Sequence, residues 1–110
     1  MKLAIVGSRN IGDFDIKSYL PEGIVEIVSG GANGVDRLAA NYAEQNGIML
    51  TEILPDYPHY GRAAPLKRNE KIAAYADEAI AFWDGHSRGT AHVIRMFRAL
   101  EKPVTVIFVP

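Results

Sequence analysis

The sequence predicts an α/β protein, a compact Rossmann-like three-layer sandwich of about five parallel strands with helices on both faces. Three observations predict it. Short apolar runs alternate with segments of helical period along the whole chain. The runs are continuously apolar rather than alternating, as expected of strands covered on both sides. Three of them close on glycine or a glycine-rich turn, suited to a tight passage from strand to helix. Strand and helix in strict alternation means parallel strands joined by right-handed crossovers.

Each element follows in order. "KLAIVG", residues 2 to 7, is the first strand. "DFDIKSYL" suits a short helix with Asp13 or Asp15 near its start, and "PEG" ends it. "IVEIVSGG" is the second strand. "NGVDRLAANYAEQNG" is a helix, because Val35, Leu38, Ala39 and Tyr42 recur at i, i+3, i+4 and i+7. Gly47 is placed to close its C-terminus. "IMLTEIL" is the third strand. "PDYPHYGRAAP", with three prolines, reads as a loop. "LKRNEKIAAYA" is a helix, "DEAIAFWDG" the fourth strand, "RGTAHVIRMFRALEK" a helix and "PVTVIFV" the last strand.

The chain has 110 residues, 48% of them hydrophobic. That suits one domain over residues 1–110 with a substantial core. Formal net charge is −1, which argues against broad binding to nucleic acid, since that needs a basic excess. Without cysteine there is no disulfide framework or thiolate metal site. No apolar run approaches the roughly 20 residues needed to span a bilayer, and "MKLAIVGSRN" reads as a strand rather than a signal peptide. A cytoplasmic protein without membrane partners is expected.

In a parallel sheet the C-terminal ends of all strands share one edge, where ligands bind at the reversal of strand order. Three loops meet there: "GSRN" (7–10), "SGGANGVD" (29–36) and "DGHSRGT" (84–90). Gly7, Gly30, Gly31, Gly34, Gly85 and Gly89, six of the ten glycines, fall in them. Glycine lets backbone N–H groups approach an anion, and a helix N-terminus adds unpaired donors. "GGANG" and "SRGT" both open helices. Ser87 and Thr90 add hydroxyls, and Arg9 and Arg68 can neutralise an anion. Bland alternatives stand beside these. The glycines serve packing alone, Asn33 is an N-cap with Asp36 in a capping-box position, Ser87 or Thr90 caps the later helix, and Asp84 forms a turn. Asp36 also suits a ribose hydroxyl.

His59, His86 and His92 have no metal-ligand spacing, and nothing calls for a metal or resident cofactor. His86 lies in the third loop, and His92 is placed on a helix surface. Trp83 is expected in the core, with stacking on a base as the alternative. Neither a Walker-type loop ending in Gly-Lys-Ser/Thr nor G-x-G-x-x-G after the first strand occurs.

"SGGANGVDRLAANYAEQNGI", then "RN" (Arg68, Asn69), then "ADEAIAFWDGHSRGTAHVI" resemble the SLOG superfamily (SMF/DprA–LOG), especially its small YspA-like branch. The resemblance runs from "VGSRN" to the last strand. It implies a Rossmann-like fold that holds nucleotides or nucleotide-derived molecules at its glycine loops. In the lonely-guy phosphoribohydrolases the pattern is an arginine, then Pro-Gly-Gly-x-Gly-Thr-x-x-Glu. Arg68 resembles that arginine, and Gly89-Thr90 resemble the Gly-Thr. The glutamate falls at Val93, and Pro-Gly-Gly is replaced by "DGHS". The resemblance therefore carries over the phosphate-holding part and not the hydrolytic carboxylate. Asp36 and Asp84 remain as substitutes, and a useful catalytic acid there requires a pKa raised by burial. DprA, a single-stranded DNA binder, resembles "SGGANGVDRLAA", with Tyr57, Tyr60 and Arg62 as stacking and basic groups.

The resulting expectation is a sensor or carrier that binds a nucleotide or a nucleotide-derived molecule such as ADP-ribose. Its ligand residues are Gly7, Ser8, Arg9, Gly30, Gly31, Asn33, Gly34, Asp36, Arg68, Asn69, Asp84, Gly85, Ser87, Gly89 and Thr90. The 55–65 loop is a partial cover. A nucleotide-processing hydrolase and a DNA binder are the alternatives. The apolar arc Val93, Ile94, Met96, Phe97 and Leu100 suggests a homodimer.

Overall fold

A computed structural model describes residues 1–12, 14–32 and 34–110. Five strands form one sheet: β1 (Lys2–Gly7), β2 (Glu26–Ser29), β3 (Met49–Glu52), β4 (Glu78–Trp83) and β5 (Val104–Phe108). The order is β3-β2-β1-β4-β5, and every pairing is parallel. Four helices join them: α1 (Val35–Gln45), α2 (Tyr57–Tyr60), α3 (Ala64–Tyr75) and α4 (Arg88–Ala99). The expected Rossmann-like sandwich is the fold observed.

Two apolar layers flank the sheet. On one face α1 presents Val35, Ala39 and Ala43 to Leu3, Ile5, Ile27 and Phe82. On the other, α3 and α4 present Ile72, Ala73, Val93, Ile94 and Phe97 to Ala4, Val6, Val28 and Ala81. Alternate residues of β1 thus point to opposite faces. Phe82 and Phe97 are fully buried, and burying such a side chain contributes about 1.5–3 kcal/mol.

Three expectations change. "DFDIKSYL" yields only a 3-10 turn, Ile16–Tyr19, with Asp15 as its cap; Asp13 lies outside the described residues. The 55–65 segment is not a loop but α2, a 3-10 turn at Gly61–Ala63 and the start of α3. In α4, Val93, Ile94 and Phe97 are buried and Met96 is partly buried against the sheet and α3, leaving Leu100 exposed. The arc that suggested a dimer is therefore largely covered within the chain. Gly47 does close α1: at φ 63° it donates to Glu44 while Ile48 donates to Ala43, the paired bonds of a Schellman turn. Among the described residues, no helix is long and apolar enough to cross a membrane.

Candidate functional site

Strands β1 and β4 are neighbours, yet the chain leaves β1 toward β2 and leaves β4 toward β5 on the opposite side. A crevice opens at such a reversal, beyond the C-terminal ends of the strands. It holds a cavity of about 130 Å³. Gly7 and Arg9 line it from the loop after β1, Gly30 and Asp36 from the segment after β2. Arg68 and Asn69 line it from α3, and Ser87, Gly89 and Thr90 from the start of α4. Nine of the expected site residues thus meet in one place.

The others lie around it. Ser8 and Asp84 line an adjoining cavity of about 480 Å³ with Asn10 and His86. Gly31 lines another of about 250 Å³ with Leu54 and Pro55. Arg9 is on the wall of all three. Gly34 faces a groove on the outer side of α1. Gly85 is turned away, beneath the ring of Phe108. Asn33 lies outside the described residues.

Most of the glycines have packing or backbone reasons. A Cβ on Gly7 would stand 2.5 Å from Val35 Cγ2 and 2.8 Å from the Phe82 carbonyl. At Gly30 it would collide with the Arg68 guanidinium that crosses above. Gly31, Gly34 and Gly85 have φ of 70°, 74° and 85°, where side chains are strained. Gly89 differs: a Cβ there would meet nothing within 4 Å.

Gly34, not a side chain, is the N-cap of α1. Asp36, expected in a capping-box role, turns back and accepts from the Ala32 amide at 3.0 Å. It is 8% exposed. Burial raises its pKa, against the lowering effect of the Ala32 amide and of Arg68. Arg68 donates from Nη1 to the Gly30 carbonyl at 2.8 Å and from Nε to Asn69 Oδ1 at 2.9 Å. Among the described residues only Lys67 and Glu70 form an ion pair within 4 Å. Arg9 and Arg68 therefore face the crevice with no carboxylate that close.

The third loop is held by its own residues. Asp84 Oδ1 accepts from the His86 and Ser87 amides, both at 2.8 Å. These bonds lower its pKa, the Ser87 amide most. Ser8, fully buried, accepts from the Asp84 amide at 3.3 Å and so ties the first loop to the third. Ser87 caps α4 by accepting from Thr90, and its hydroxyl meets the buried Thr90 hydroxyl at 3.2 Å. Trp83, half-buried against the core, donates to the Ser87 carbonyl at 3.0 Å. Among the described residues, no acceptor meets the Arg88 and Gly89 amides, the first two of α4.

Val93 is 3% exposed and floors the cavity with Val6 and Ile72. Its methyl groups stand where the lonely-guy pattern would place a glutamate. Val6, Ala32, Pro65, Leu66 and Ile72 also line the crevice and were not expected there. The helical period of α3 could have found Leu66 and Ile72, which share the Asn69 side of the helix. His92 is half-buried at the α3–α4 contact rather than on an open surface. Tyr57, Tyr60 and Arg62 do not line the crevice.

A family model described as "YspA, cpYpsA-related SLOG family" matches residues 1–60. The chain is also 38% identical over 90 residues to the "Gene 61 protein" of Mycobacterium phage D29, covering 76% of this chain and 71% of that protein. No solved structure matches.

Proposed function

We propose, from the premise that this chain belongs to the YspA, cpYpsA-related SLOG family, that it binds a nucleotide or nucleotide-derived ligand in the β1/β4 crevice. One observation carries the reading. Two arginines without a carboxylate within 4 Å among the described residues share a cavity with the amide-bearing start of α4. Guanidinium groups and a helix N-terminus both favour an anion, and a phosphate accepts from each. A cavity of about 130 Å³ suits a phosphate and part of a sugar. The larger cavities on either side of Arg9 leave room for the rest of the ligand. Pro65 and Leu66, at the start of α3, form the wall assigned above to a covering loop.

The test is a thermal-shift screen against nucleoside monophosphates, ADP-ribose, NAD and short oligonucleotides, followed by mass spectrometry. A ligand at 100 times its Kd stabilises the fold by about 2.7 kcal/mol. Arg9 is exposed, so Arg9→Ala is expected to leave the unliganded melting temperature unchanged and to remove most of the shift. A full shift in that variant refutes the site.

A hydrolase is the second reading, favoured by one observation: Asp36 lines the cavity with a pKa raised by burial. It meets the condition for an acid that Asp84, pinned by two amides and lowered, does not. Recovery of a cleaved ligand, lost in Asp36→Asn, would put this reading first.

A further inference from the structure

Behind Arg68 lies a hydrogen-bonded chain that crosses from α3 to α4. Arg68 Nε is a donor in every accessible state, so the Asn69 atom 2.9 Å away must be the oxygen. That fixes the amide. Asn69 Nδ2 then points to α4, 3.1 Å from His92 Nδ1 and 3.5 Å from the Gly89 carbonyl. An NH₂ group facing Nδ1 requires a lone pair there. His92 is therefore neutral, with its proton on Nε2.

We propose that Asn69 and neutral His92 are positioning residues that hold Arg68 toward its anion, and that protonation of His92 releases Arg68 and weakens anion binding. The binding consequence rests on the reading given under Proposed function; the coupling itself does not. A protonated His92 sets N–H against N–H. Turning the Asn69 amide over would satisfy His92, but would then set Nδ2 against Arg68 Nε. One end of the chain has to open in either case. With Asn69 turned, Arg68 retains its bond to Gly30 and the attraction of Asp36, and loses the contact that fixes the plane of its fork. The charged groups facing His92 are Arg95 on its own helix and Glu70 on α3. Burial and Arg95 favour the neutral ring, and Glu70 opposes them.

The expected sign is the reverse of simple electrostatics, in which a new positive charge near an anion site tightens binding as pH falls. The first measurement needs no ligand. Side-chain NMR follows Arg68 Nε–H, Asn69 Nδ2 and the His92 ring from pH 8 to 5. The Arg68 and Asn69 signals are expected to move with the midpoint of His92, which lies below the ordinary 6.5. In His92→Gln, whose carbonyl can accept from Asn69 without titrating, they are expected to stay still. An Arg68 signal indifferent to His92 overturns the proposal. The second measurement is the Kd of ADP-ribose, whose phosphates are both esterified and do not titrate in this range. Binding is expected to weaken about tenfold between pH 7.5 and 5.5, the factor of one hydrogen bond, and to be flat in His92→Gln. Binding that tightens or stays constant in the wild type overturns the proposal. Failure to bind at both pH values counts against the nucleotide reading, and the NMR result still decides the coupling.

Discussion

Gly89→Ala separates what the fold needs at the start of α4 from what a ligand needs. Gly89 is the second residue of the helix, and an added methyl would meet nothing within 4 Å. Glycine in a helix costs about 0.5–1 kcal/mol relative to alanine, so alanine is expected to stabilise the protein by that amount. Unfolding entropy is about 2.1 cal/mol/K per residue, which for this chain is roughly 0.23 kcal/mol/K. The melting temperature should therefore rise by about 2–4 °C. The same methyl stands over the Arg88 and Gly89 amides, where a phosphate oxygen would sit. The ligand contribution, about 2.7 kcal/mol at 100 times Kd, should fall by at least half. Scanning calorimetry with and without ADP-ribose reads both numbers in one preparation. A variant that melts higher and keeps the full ligand shift removes the Gly89 backbone from the site. One that melts lower shows a demand for glycine that the surrounding space does not explain. General misfolding cannot raise the unliganded melting temperature while lowering the ligand shift.

Two further substitutions test the scaffold around the crevice. Asp84 has a folded pKa below 3.8, chiefly through the Ser87 and His86 amides. The stability it contributes is thus present above pH 3.8 and is lost as pH falls through the lower folded value. Asp84→Asn should lower the melting temperature near pH 7, and the gap to wild type should narrow below pH 3.8; a constant gap would refute the assignment. Lys102 Nζ donates to the Ala73, Ala74 and Ala76 carbonyls at 2.7, 3.0 and 2.8 Å, closing the C-terminus of α3. Lys102→Met keeps most of the stem and removes the charge, and should cost about 1–3 kcal/mol, seen as a lower urea midpoint at unchanged slope.

The strands were legible because each is an apolar run bounded by turn residues, and α1 and α4 because their apolar positions keep the helical period. The 55–65 segment was not, because its prolines read as breakers. Pro58 and Pro65 instead occupy the first turns of α2 and α3, where a missing N–H costs nothing. Asp56 completes α2 by accepting from the His59 amide at 3.2 Å. The Ile16–Tyr19 turn fell short of a helix because its surroundings pack as aromatic contacts. Phe14 and Tyr19 lie edge-on to Phe82 at 5.1 and 5.7 Å, and local periodicity carries no trace of that. Asp36 was assigned to a cap by its spacing. Its carboxylate serves the Ala32 amide instead, a choice set by how the loop after β2 folds back.

The glycines show where sequence reasoning about a phosphate site reaches its end. Six of them in three loops invite a count, yet the reasons for them differ. Gly7 admits Val35, Gly30 admits Arg68, and Gly31, Gly34 and Gly85 supply positive φ. Those five are explained by a protein that binds nothing. Gly89 alone of the six has neither a neighbour nor a backbone angle to account for it. It lies between Ser87 and Thr90, whose hydroxyls are engaged with each other, so what the start of α4 offers a ligand is backbone. Arg9 and Arg68 supply the charge. The phosphate reading therefore rests on one glycine and two arginines, and the other five glycines shape the crevice by letting helices, loops and Arg68 close around it.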